Sequence, residues 1–128
     1  MFLTRRRAIW GLAAGVCIST YGLAQPGGAV VSPWVERLRR LVRYPESARE
    51  VGRLYRRAVP AEADVAVAAE LILSSLSLGH ASLSSVPERA LRRSVADRMR
   101  DDFAAGRTVK IGGWVLSTTE ARLCALWV

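Results

Sequence analysis

Reactive side chains are scarce in this sequence. Its 128 residues include one His, two Cys and a single Lys, Lys110. Cys17 lies in an apolar amino-terminal stretch that reads as a leader, so Cys124 stands alone once the leader is removed. One thiol closes no internal disulfide, and with the lone His80 it builds no zinc site. Cys124 reads as a small apolar helix residue. Asp101-Asp102 is the only adjacent acidic pair. Neighbouring helical positions point apart, so these two are not a matched acid and base. No serine sits in a Gly-x-Ser-x-Gly turn, and Gly112-Gly113 lacks the further glycines of a phosphate loop. His80 reads as a loop residue touching solvent. Asp102 reads as a solvated residue near a helix end, paired with Arg107. The residues therefore indicate no catalytic centre, no metal site and no cofactor ligands.

Hydrophobic residues make up 51% of the chain, which suits a folded domain rather than a disordered one. The length allows one domain. The formal charge is +8, carried almost wholly by Arg. Such a balance usually points to nucleic acid or another anionic surface, but the plainer reading is a high-Arg coding bias with solvated helix faces.

The first 24 residues have the layout of a secretory signal. Met1 to Arg7 is short and positive, and Ala8 to Leu23 is modestly apolar and glycine-interrupted. Small residues then precede two candidate cleavage positions, after Ala24 and after Ala29. The run Thr4-Arg5-Arg6-Arg7-Ala8-Ile9 resembles the twin-arginine export motif, with Arg5 and Arg6 as the paired arginines and Ala8 in place of the commoner Phe. That resemblance implies a folded protein delivered to the periplasm by the twin-arginine translocase. It argues against nucleic acid and for only transient membrane contact. An uncleaved leader would instead be an inner-membrane anchor, although it is short for a span of roughly 20 residues.

Residues 25–31 read as a Gly/Pro linker, and residues 32–128 as one helical domain. Ser32-Pro33 starts a helix with Trp34, Leu38, Leu41 and Val42 on one stripe. Pro45 starts a second, with Ala48, Val51, Leu54, Tyr55 and Ala58 inward. There Gly52 either weakens the helix or lets a neighbour approach closely. A third is expected over about 61–78, with Val65, Ala69, Ile72 and Leu76 inward, and with Gly79 as its stop. Residues 80–85 read as a Ser-rich loop. A fourth helix follows over about 86–105, with Leu91, Val95, Met99 and Phe103 inward and Gly106 ending it. The period then changes to two β-prone runs around Gly112-Gly113, a tight hairpin anchored by Trp114. Ser117-x-x-Glu120 is a capping box opening a last helix, apolar nearly all round. Such a helix is either buried or offered to a partner. The expected fold is mainly α: four to five helices in a small bundle, with a short β-hairpin before the C-terminal helix.

Arg49, Arg53, Arg56 and Arg57 recur on one helix stripe, which could meet an acidic partner or anionic lipid. Glu46 and Glu50 would neutralise part of it. The segment from Asp102-Phe103 through Gly113 to Leu126 is similar to small twin-arginine-exported proteins of undefined function. Its Thr119-Glu120-x-x-Leu123-x-Ala125-Leu126 core resembles the small helical subunit of flavin-dependent sugar and alcohol dehydrogenases. That resemblance implies a subunit that accompanies a flavin subunit and binds no cofactor itself. Folded export commonly follows loading of a cofactor or a partner. With no cofactor ligands evident, the expectation is a non-catalytic accessory subunit co-translocated with a larger periplasmic enzyme. Its partner-binding residues would be Trp114, Leu116, Leu123, Leu126 and Trp127.

Overall fold

The computed structural model describes residues 31–128. The leader, with Arg5, Arg6, Cys17 and both cleavage positions, lies outside them, as does the linker up to Val30. The described elements are α1 (Pro33–Arg39), α2 (Pro45–Ala58), a 3-10 turn (Pro60–Glu62), α3 (Val65–Ser75), α4 (His80–Ser85), α5 (Glu88–Ala104), β1 (Thr108–Ile111), β2 (Trp114–Ser117) and α6 (Thr118–Ala125). The fold is mainly helical, with a two-stranded antiparallel hairpin before the last helix. Among the described residues no helix is long and apolar enough to cross a membrane.

Helix α6 explains its own composition. Leu123 and Leu126 face one core, with Leu38, Ile72, Leu73, Leu83 and Leu91. Ala121 and Ala125 face a second, smaller core with Tyr55 and Ile111. A helix packed on opposite sides has no polar face to spare. Each buried Leu contributes roughly 2 kcal/mol of transfer free energy, so α6 ties both cores together. The small residues on its other side let α2 come close. Gly52 is the contact point: a Cβ there would lie 2.5 Å from the Cys124 carbonyl oxygen and 2.6 Å from Val128 Cγ2.

The hairpin turn is Gly112-Gly113, with φ of 54° and 85°. Two successive positive φ values make a type I′ turn, the one whose twist matches paired strands. Thr108 pairs with Ser117 and Ile111 with Trp114. Ile111, buried, anchors the hairpin. Trp114 does not: it is 70% exposed at the strand's tip.

Several expectations shift. Residues 80–85 form helix α4 rather than a loop, because Leu83 is buried and His80 stacks on Trp34 at 4.3 Å between ring centroids. Tertiary contacts override weak Ser propensity here. The third helix covers only residues 65–75, after a separate 3-10 turn, and Asp64 caps it by accepting from the Ala66 N–H at 2.7 Å. Its stop is Ser77, not Gly79. Ser77 adopts φ 55°, and the Leu78 N–H donates to the Leu73 carbonyl. That is a Schellman ending with a non-glycine in the left-handed position. Helix α5 ends with the same motif at Gly106, whose φ is 73°; Arg107 N–H donates to the Asp102 carbonyl at 2.8 Å. Its inward stripe turns by one residue at its end, so Asp102 is buried and Phe103 is 50% exposed.

Candidate functional site

Asp102 is not solvated: only 1% of it is exposed. Arg107 donates to Oδ1 at 2.9 Å, as its spacing suggests, and Arg98 lies 3.3 Å away. Oδ2 accepts from both the backbone N–H and the hydroxyl of Thr119, at 3.0 and 2.6 Å. Burial pushes its carboxyl up, but the hydrogen bonds from Thr119 and Arg107 outweigh that and hold its pKa below the usual carboxylate value. A helix begins with N–H groups lacking internal partners. In α6 the first N–H, of Thr118, donates to the Arg107 carbonyl; the second, of Thr119, to Asp102; the third, of Glu120, to Ser117 Oγ. Both Asp102 oxygens are consumed by this arrangement.

A second polar cluster joins α2, the 3-10 turn and α6. Arg122 donates through Nε and Nη2 to the two oxygens of Glu62, at 2.8 and 2.9 Å. The Tyr55 hydroxyl also donates to Glu62. Burial, reinforced by Glu62, pushes the Tyr55 phenol up to about 12. The hydrogen bond from Arg122 holds the Glu62 carboxyl below its usual value. No sequence spacing links residues 55, 62 and 122, so only the fold reveals this cluster.

His80 stands on the surface, with Nε2 2.6 Å from Glu70 Oε1. Its contacts are with Glu70 and Trp34, and the described residues contain no group of three or more His, Cys, Asp or Glu suited to a metal.

The carbonyl end of α6 is met by arginines, which suit its partial negative charge. Arg39 Nε donates to the Leu126 carbonyl at 2.6 Å, and Arg56 Nη2 to the Ala125 carbonyl at 3.4 Å. Arg39 and Arg49 also lie over the Trp127 ring, 5.8 and 5.7 Å from its centroid. The arginine stripe is thus divided. Arg56 turns toward α6, Arg49 is shared between Glu46 at 3.1 Å and Trp127, and Arg53 and Arg57 are exposed.

The five residues expected at a partner contact also separate. Leu126 is fully buried and Leu123 nearly so, both in the main core. They support a surface rather than form one. Trp127 is half-buried under its two arginines. Trp114 and Leu116 share a strand face, because paired and alternate residues of a hairpin point the same way. Leu116 lines a groove of about 330 Å³ between α2, α5 and the hairpin, with Leu123 at its floor and Tyr44, Val51, Met99 and Cys124 beside it. Leu54, partly exposed, lies against the turn; its Cδ1 would be 3.3 Å from a Cβ on Gly112. Burial pushes the Cys124 thiol up to about 11, with Glu120 adding to the effect, so it stays protonated at neutral pH.

The chain matches no protein-family model, no curated protein and no solved structure.

Proposed function

We propose that this protein is an exported, non-catalytic accessory subunit. It folds with a larger periplasmic enzyme, an oxidoreductase, and is carried with it by the twin-arginine translocase. The observation that carries this reading is the apolar groove beside the hairpin, edged by exposed Tyr44 and lined by Leu116, whose strand face also carries the exposed Trp114. Exposed aromatics around a half-open apolar groove are the usual centre of a protein contact. Arg5 and Arg6 support the route, and the full use of Asp102 in holding α6 supports a non-catalytic role. Arg53 and Arg57 are exposed on the face of α2 turned away from Ser47, Ala48 and Val51, a weaker support for the anionic-surface reading of the arginine stripe.

The test is purification of the tagged full chain from the periplasm of a producing cell. One larger enzyme should accompany it in fixed ratio. W114A combined with L116D should release that enzyme while the helical circular dichroism is retained. Replacing Arg5 and Arg6 by Lys should strand both proteins in the cytoplasm. A chain that purifies alone as a stable monomer, or that reaches the periplasm despite the Lys pair, overturns the proposal.

A further inference from the structure

A second concavity lies at the opposite end of α6 from Asp102. It has a volume of about 580 Å³, within the range of small-ligand sites. Its walls are apolar, from Val31, Trp34, Val35 and Val65, and two arginines, Arg39 and Arg56, line it. Arg39 is committed to the Leu126 carbonyl and to Glu36. Arg56 is not. Among the described residues its buried Nε has no hydrogen-bond partner, and Nη2 makes only the 3.4 Å contact with Ala125.

An orphaned buried donor is costly and calls for an explanation. The same molecule shows what this edge of a guanidinium takes when satisfied. Arg122 uses Nε and Nη2 to grip both oxygens of Glu62, and Arg92 uses the same two atoms on Glu88 at 3.1 and 2.9 Å. The planar fork fits a carboxylate side-on. We propose that this cavity binds a small amphiphilic monocarboxylate. Its carboxylate takes the Nε/Nη2 edge of Arg56, and its apolar body lies along Trp34, Val35 and Val65. A modest rotation of the guanidinium exchanges one long bond for two short ones. Asp64, at the rim, adds a negative charge that disfavours polyanions such as phosphate esters. This site is independent of the groove beside the hairpin and of the partner proposed there.

Titration calorimetry of the full chain with dodecanoate, dodecanol and inorganic phosphate tests the proposal. Dodecanoate should bind one per chain, with dodecanol at least tenfold weaker and phosphate not bound. Arg56→Met should weaken dodecanoate at least tenfold. Because Arg56 also touches α6, a second variant is needed. Ala66→Phe fills the cavity from its exposed rim, keeps the capped Ala66 N–H, and should abolish binding with the circular dichroism unchanged. Absence of dodecanoate binding, equal affinity for dodecanol, or full binding by Ala66→Phe overturns the assignment.

Discussion

The two ends of α6 are held by opposite chemistry and to different degrees. At the amino end every donor of the first turn has a short bond, and the carboxylate of Asp102 has nothing left to offer. At the carbonyl end Arg39 is fully engaged, whereas Arg56 holds one long bond and one buried N–H without a partner. The first end meets the groove of about 330 Å³ through Leu116 and Glu120 but leaves it no unused first-turn donor; the second opens onto a cavity of about 580 Å³. Saturated polar groups organise a fold. Surplus donors next to open space are where a ligand gains more bonds than it displaces.

The contrast can be broken by mutation. Asp102→Ala deprives the partly exposed Arg98 and Arg107 of their carboxylate and leaves the buried Thr119 donors unmatched, and should cost about 3 kcal/mol in urea denaturation. The pH dependence has a definite sign. The Asp102 carboxyl is held below its unfolded value of about 3.9, so its contribution is complete above that pH and fades as pH falls further. Urea midpoints measured from pH 3 to 7 should fall less steeply toward acid in the variant.

Gly52→Ala tests the flank between the two ends. Helix propensity favours Ala by about 1 kcal/mol, but a Cβ 2.5 Å from a backbone carbonyl oxygen forces α2 and α6 apart. A net loss of about 2 kcal/mol is expected in the same assay. At the carbonyl end, Arg39→Met should cost about 1.5 kcal/mol and Arg56→Met less than about 1 kcal/mol, following their bond lengths of 2.6 and 3.4 Å. If Arg56→Met proves as damaging as Asp102→Ala, the two ends are equally structural and the contrast is lost. The smallest effect is a gain. Ser77→Gly, away from both ends, relieves a side chain at φ 55° and should raise the thermal midpoint, by about 0.5 kcal/mol of stability.

Local signals in the sequence translated well. The Gly-Gly hairpin, the Ser117 cap and the Gly106 stop each depend on a few adjacent residues and one backbone conformation, whereas Gly52 read as either a weak point or a close approach until its neighbours, Cys124 and Val128, were placed. Features set by distant partners did not. Asp102 meets Thr119 from 17 residues away, and the Arg122–Glu62 pair spans 60. Trp114 looked like an anchor because large aromatics usually bury, yet Ile111 across the strand took that place. Phe103 looked inward on strict periodicity, but the demand of α6 for a capping carboxylate turned Asp102 in instead. The Ser-rich stretch after Gly79 had no helical propensity to read; Leu83 and Trp34 supply the reason for α4.

Because α6 joins both cores and follows every other described element in chain order, neither core can close while residues 118–126 are still within the ribosome. Synthesis proceeds at about 5–20 residues per second, and the main core gathers residues as distant in the chain as Leu38 and Leu126. The elements made earlier must wait, with their apolar sides uncovered, for the helix that seals them. That interval is when a chaperone would have its best opportunity to engage the nascent protein.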